Sequence, residues 1–144
     1  MPGGHIGVGD KTGGTMTIRK FFSVLAVLSF LFGIGFVVAP GQVLANYGIE
    51  NSPALALVGR LFGGTLVTLG VILWLARDFR NEAAVRAVLI GALIGDAVNL
   101  VVAAMGTLSG ASNALGWSTV LIYLYGVLGS GYFLAARTSQ LSHR

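Results

Sequence analysis

Four long apolar stretches, almost free of charged residues, occupy most of this 144-residue sequence and constrain its fold more than any other feature. Soluble proteins carry about 25% charged residues, because charge covers their surface. This sequence carries 10% charged residues, and its mean hydropathy is +0.84. A stretch of about 20 apolar residues is long enough to cross a bilayer as a helix. The sequence therefore predicts an all-α integral membrane protein whose principal partner is the lipid bilayer.

Turn-forming and charged segments divide the apolar stretches from one another. Pro40 and Gly41 close the first stretch, and Ser52 and Pro53 offer an N-cap and a first-turn proline for the second. A charged loop follows the second stretch, and an uncharged turn rich in Gly and Ser follows the third. Short connections favour antiparallel neighbours, which predicts an up-down bundle of four transmembrane helices. The predicted spans are residues 21–39, 54–76, 83–105 and 115–136.

The two ends of the chain are predicted to lie outside these spans. Residues 1–15 are rich in glycine and lack an apolar run, so we expect a disordered tail followed by one domain over residues 16–144. The tail could also be an upstream extension of a native start at Met16. A cleaved signal peptide ending near residues 43–45 is the alternative for the first stretch, which is longer than the usual apolar region of such peptides.

Basic residues occupy only alternate connections. Cytoplasmic loops carry an excess of Lys and Arg, and here these residues precede the first span, separate the second from the third, or follow the fourth. This pattern predicts that both termini lie in the cytoplasm, and the segment that begins at Met16 resembles the start of a bacterial inner-membrane protein. The basic residues form no stripe, so nucleic acid is not expected as a partner. Those that lie beside the spans, in the charged loop or in the C-terminal segment are Arg19, Lys20, Arg77, Arg80, Arg86, Arg137 and Arg144.

The residue types that usually hold cofactors are scarce. The chain has no cysteine, and its two histidines, His5 and His143, lie outside every apolar stretch. These absences exclude thiolate chemistry and argue against histidine-ligated metal within the membrane. We expect no metal, no cofactor and no catalytic residues.

Two ionisable residues fall within the predicted spans. Placing a charge there costs several kcal/mol of free energy unless the charge is paired or hydrated. Arg60 lies in the second span and Asp96 in the third, at nearly matching depth, and Asn99 lies one turn from Asp96. Helical spacing places both on glycine-rich faces that each contain a G-x-x-x-G motif. The sequence thus predicts one interface with a polar cluster of Arg60, Asp96 and Asn99. Its helix-packing glycines are Gly59, Gly63, Gly70, Gly91 and Gly95.

This cluster has two interpretations. A buried ion pair that fixes the register of two helices would satisfy both charges without any function. The alternative is a functional site for a proton, a solute or a polar ligand. The glycines likewise could pack within the bundle or against a second copy of the chain.

The stretch from Pro53 to Gly70, followed by Trp74 and Arg77, resembles small bacterial four-helix membrane proteins of a domain-of-unknown-function family. In that family an arginine precedes a glycine early in the second helix, as Arg60 does here, and an acidic residue often lies in the third. The resemblance implies a four-helix bundle with a link between Arg60 and Asp96, and no established activity. The pattern Arg60-x-Phe62-Gly63 is more distantly similar to the four-helix scaffold protein of sterol synthesis.

Hypotheses about function therefore depend on the predicted architecture more than on sequence motifs. The first hypothesis is a non-catalytic accessory or scaffold subunit of an inner-membrane assembly, with another membrane protein as partner. The second is a small proton-coupled carrier that acts as a homo-oligomer, with Arg60 and Asp96 as its intramembrane site. A membrane enzyme is the weakest hypothesis, because such sites usually need several polar groups near one interface.

Overall fold

The computed structural model describes residues 16–141, with side chains described as far as Ala136. This part of the chain is helical and contains no strand. Four helices are long and apolar enough to cross a membrane, which confirms the predicted number of spans. The predicted tail at residues 1–15 lies outside the described residues. The helices are α1 (Ile18–Val38), α2 (Pro40–Asn46), α3 (Pro53–Ala76), α4 (Glu82–Leu108) and α5 (Gly116–Leu141).

The short helix α2 was not predicted, because Pro40 was read only as the end of the first span. Proline lacks an N–H, and at the first helical position that N–H would have no intrahelical partner. Pro40 therefore ends one helix and begins the next, with Ala39 as the single residue between them. The result places Leu44 and Tyr47 over the end of the bundle.

Side-chain caps fix the starts of α3 and α4. Ser52 accepts a hydrogen bond from the backbone N–H of Leu55 at 3.2 Å, with Pro53 at the first helical position, as the sequence predicted. Asn81 accepts one from Ala84 at 3.1 Å at the start of α4. Each cap satisfies an N–H that the helix itself leaves unpaired.

Helices α1 and α3 form a close antiparallel pair. Pro40 faces Gly59, Phe36 faces Gly63 and Phe30 faces Gly70, so the residue number falls along α3 as it rises along α1. A Cβ atom at Gly63 would lie 2.7 Å from the backbone oxygen of Gly33. In lipid, close backbone approach of this kind supplies the van der Waals packing that holds helices together.

Helices α4 and α5 form the second antiparallel pair. Asp96 lies against Gly126. Thr107 lies against Gly116, close to the connection between α4 and α5. Contacts between the two pairs, from α3 to α4 or from α1 to α5, are sparse by comparison. The protein is thus two helical hairpins, α1/α3 and α4/α5.

The hairpins meet at the end of the bundle that carries Arg19, Arg77, Arg80 and Arg86, which we call the basic end. All four long helices contribute to the buried core there, and Phe21 touches the rings of Tyr125 and Phe133 on α5. The main cluster of buried hydrophobic residues therefore lies at this end. Its buried members are Phe21, Phe22, Leu25, Ala26, Leu73, Ala76, Val85 and Leu89.

Charged residues link the helices just beyond this core. Asp78 forms ion pairs with Arg19 at 3.2 Å and with Arg77 at 3.3 Å. The guanidinium of Arg77 also lies over the ring of Trp74, 3.4 Å from its centroid. Since these groups are at least partly exposed, each link contributes modestly to stability.

The opposite end, which we call the turn end, consists of α2 and the connection between α4 and α5. Asn113 donates its backbone N–H to the oxygen of Tyr47 at 2.8 Å and its side-chain amide to the oxygen of Asn46 at 2.9 Å. Tyr47 and Thr119 share a hydrogen bond of 2.9 Å between their hydroxyls. The two hairpins are thereby joined at both ends.

Candidate functional site

A cavity of about 420 Å³ lies between the two hairpins. It occupies the middle of the bundle, where contacts between the hairpins are sparse. Ligand pockets for small molecules usually enclose about 300–1,000 Å³. The cavity is therefore large enough for a small organic molecule.

The hairpin α1/α3 supplies an apolar wall. Most side chains that it directs at the cavity are aliphatic or aromatic, and the rings of Phe36 and Phe62 meet edge to face with centroids 5.4 Å apart. Such a wall suits the hydrocarbon part of a ligand. Its principal members are Leu28, Phe32, Phe36, Phe62, Leu66 and Leu69.

The hairpin α4/α5 supplies a polar wall. It brings one carboxylate, one carboxamide and several hydroxyls to the same cavity. A few polar groups that converge in a largely apolar pocket are the usual arrangement for orienting a bound molecule. These groups belong to Asp96, Asn99, Thr107, Thr119 and Tyr123.

The cavity is bounded at both ends of the bundle and is partly open. The packed core closes it toward the basic end, and the bonds of Asn113 and Tyr47 close it toward the turn end. On the side between α3 and α4, the lining residues Phe62 and Leu69 are 39% and 37% exposed, and Asn99 is exposed as well. We infer from this exposure that the cavity opens between α3 and α4, toward the region that lipid would occupy.

Asp96 has an unusual position within the polar wall. Its carboxylate packs against the backbone of Gly126, where a Cβ atom would lie 2.7 Å from the carboxylate carbon. Within the described part of the chain, Asp96 makes no hydrogen bond or ion pair within the usual distances. No other described residue therefore balances the charge of its carboxylate.

Gly91 and Gly95 make room in front of Asp96 on α4. Both line the cavity, and a Cβ atom at either would meet nothing within 4 Å. Asn99, which belongs to the predicted polar cluster, lies on the same face of the helix, one turn from Asp96. These glycines widen the cavity and do not form a helix contact.

The structure does not bring Arg60 to Asp96. Arg60 is exposed and does not line the cavity. At about 100° per residue, Arg60 lies about 100° around α3 from Gly59, whereas the cavity residue Phe62 lies about 60° from Gly59 in the other direction. In the described residues Arg60 forms no ion pair within 4 Å. The predicted cluster is therefore divided, with Asp96 and Asn99 at the cavity and Arg60 on another face.

The predicted glycines are divided in the same way. Gly59, Gly63 and Gly70 are buried against α1 and not against α4. Gly91 and Gly95 line the cavity. The physical reason is that a glycine stripe specifies a close neighbour without specifying which one, and α1 presents Gly33 at the matching height.

Sequence patterns did not indicate the apolar wall or the place of Tyr47 and Tyr123 in the lining of the cavity. Phe32 and Phe36 recur at helical spacing, as do Phe62, Leu66 and Leu69, but an apolar stripe facing a cavity looks the same in sequence as one facing lipid. The position of Tyr47 depends on α2, which was not predicted.

The described residues contain no group of three or more His, Cys, Asp or Glu side chains placed to hold a metal ion. The lining of the cavity suits an organic molecule better, since most of it is apolar or aromatic.

Comparisons with known proteins leave the site to be interpreted on its own geometry. No protein-family model matches the chain, and no curated protein or solved structure is significantly similar to it. The resemblance to small bacterial four-helix membrane proteins therefore stays a prediction.

Proposed function

We propose that this protein is a multi-pass protein of the bacterial inner membrane that binds a small amphipathic molecule between its two helical hairpins, without catalysis. The observation that carries the proposal is the cavity of about 420 Å³ with one apolar and one polar wall. Protein interiors are usually tightly packed, so a cavity of this size in a small bundle favours a bound ligand. A carrier or a ligand-binding subunit would need such a cavity.

The side opening supports exchange of the ligand with the bilayer. Amphipathic molecules partition into membranes and reach a site between helices without crossing water. The hydrogen bonds of Asn113 and the Tyr47–Thr119 pair block the direct route at the turn end. This arrangement favours a lipid-soluble ligand over a water-soluble one.

Binding is favoured over catalysis by the chemistry of the polar wall. Among the described lining residues, Asp96 is the only carboxylate, and its polar neighbours are amide and hydroxyl groups. General acid–base catalysis usually relies on a tuned acid or base that contacts the reacting atoms together with further polarising groups. The wall around Asp96 can orient a ligand and balance its charge.

Native mass spectrometry of the protein extracted from its own membrane in mild detergent tests the proposal. We expect the wild type to carry a bound small molecule, and Gly95→Leu, which fills the cavity, to lose it. Gly64→Leu is the matched control, because a Cβ atom at Gly64 meets nothing within 4 Å and Gly64 does not line the cavity. An empty wild type, or equal occupancy in both variants, would refute ligand binding in the cavity.

An accessory role in a larger assembly is the second candidate, and the position of Arg60 favours it. An arginine on an exposed face of a membrane helix costs several kcal/mol unless it is paired or reaches the interface. A neighbouring membrane protein with an acidic side chain at that depth would supply the pairing. Purification in mild detergent followed by proteomics tests this role, since a stoichiometric partner lost in Arg60→Gln is expected and a partner-free homogeneous protein contradicts it.

The proposed topology places the basic end in the cytoplasm, because Lys and Arg residues hold loops on that side. The chain has no cysteine, so single introduced cysteines report their own location. Cysteines at Asn51 and Asn113 should react with an impermeant reagent from outside intact cells, and one at Asn81 should not. Labelling at position 81 from outside would reverse the orientation.

A further inference from the structure

Resting on the proposed binding function, we infer that the ligand is a cationic amphiphile, an amine or quaternary ammonium compound with an apolar body, and that Asp96 is its counter-ion. The carboxylate of Asp96 is the only acidic group among the described residues that line the cavity, and no Lys or Arg lines it with them. A site with that charge balance attracts cations and rejects anions.

The absence of a protein partner for Asp96 strengthens the inference. In the described part of the chain no hydrogen bond or ion pair reaches its carboxylate, and Arg60, the other ionisable residue predicted within the spans, faces elsewhere. A carboxylate at membrane depth is costly when nothing balances it. A bound cation would supply the missing charge at the point where the polar wall meets the cavity.

Aromatic rings surround the same space. Phe32, Phe36 and Phe62 line the cavity from the apolar wall, and Tyr47 and Tyr123 line it from the turn end and from α5. The faces of such rings attract ammonium groups, and the attraction grows when water is excluded. A carboxylate combined with several aromatic rings is thus better suited to an organic cation than to an inorganic one, which needs several oxygen ligands.

The shape of the cavity orients this ligand. Gly91 and Gly95 leave open space in front of Asp96, which suits a bulky head group such as a substituted ammonium. Asn99, one turn along the same face, can accept a hydrogen bond from an N–H of the ligand. The apolar body would then lie against Leu66 and Leu69 of the opposite wall, near the side opening.

Equilibrium dialysis with lipid nanodiscs tests the inference. The probe is radiolabelled benzyltrimethylammonium, and the competitor is neopentylbenzene, in which a carbon atom replaces the charged nitrogen. Empty nanodiscs correct for partition into lipid. We expect saturable binding of the cation and displacement by the neutral compound only at about tenfold higher concentration or more.

Variants of the protein separate charge from fold. Asp96→Asn should weaken binding of the cation about tenfold or more, while Glu50→Gln, an exposed carboxylate outside the cavity lining, should leave it unchanged. The melting temperature of each variant shows whether it is folded. The comparison of the two probes on the wild type decides the question even if Asp96→Asn does not fold.

Three outcomes would overturn the inference. Equal potency of the charged and neutral compounds would show that charge does not matter, and unchanged binding in Asp96→Asn would remove the carboxylate from the site. Absence of any specific cation binding would refute the ligand class. In each case native mass spectrometry of the wild type, which detects a bound molecule of any charge, judges the proposed function separately.

Discussion

The carboxylate of Asp96 on α4 packs directly against the backbone of Gly126 on α5. Gly126 is buried, and its missing side chain leaves the space that the carboxylate occupies. The contact fixes the distance between the two helices of the second hairpin and holds Asp96 at the wall of the cavity. A larger residue at position 126 would displace this carboxylate from α5.

Gly126→Ala should therefore lower the melting temperature in detergent. The new methyl group would overlap the carboxylate of Asp96, and overpacking of this kind costs about 1–3 kcal/mol. Gly131→Ala on the same helix is the control, because a Cβ atom there meets nothing within 4 Å. Equal melting temperatures for the two variants would mean that Asp96 does not lie against Gly126.

The contact between α1 and α3 gives a sharper test, because two adjacent glycines differ in their surroundings. A Cβ atom at Gly63 would lie 2.7 Å from the oxygen of Gly33 and 2.9 Å from the Cβ of Phe36, whereas one at Gly64 meets nothing within 4 Å. Gly63→Ala should cost about 1–3 kcal/mol. Gly64→Ala should be neutral or slightly stabilising, since alanine favours helix more than glycine does.

Thermal unfolding of both variants in the same detergent measures the difference. The opposite order, with Gly64→Ala the more destabilised, would mean that α3 presents a different face to α1.

Residue patterns predicted where the helices lie in the sequence, but they predicted poorly which helices pack against each other. Hydropathy and the Ser52–Pro53 cap depend on adjacent residues, so the spans could be read from sequence. The partner of Gly63 depends on which helix lies beside α3, and a match in depth is equally good for α1 and α4 in an antiparallel bundle. The sequence selected Asp96 and Asn99 because polar groups in a span are rare, but it could not show that a cavity lies beside them.

The separation of Arg60 from Asp96 predicts how their substitutions combine. If the two side chains do not touch, the losses of stability in Arg60→Gln and Asp96→Asn should add in the double variant to within about 0.3–0.5 kcal/mol. If the two residues form a buried ion pair, as the sequence suggested, the loss of stability in the double variant would instead be smaller than the sum of the two single losses.

Reversible unfolding of the four proteins in mixed micelles provides this double-mutant cycle. A coupling energy well above 1 kcal/mol would show that Arg60 reaches Asp96 and would contradict the placement of Arg60 on a separate face.

Photolabelling gives the most direct evidence on whether a small molecule occupies the cavity between the two hairpins. An alkylamine that carries a diazirine on its chain is equilibrated with the protein in nanodiscs, irradiated, and located by mass spectrometry of the peptides. We predict labels on cavity residues such as Phe36, Phe62 and Asn99, and their loss when excess unlabelled alkylamine is present. Labels confined to exposed residues outside the cavity, such as Leu31 and Val98, and insensitive to the competitor would show that the cavity does not bind the alkylamine.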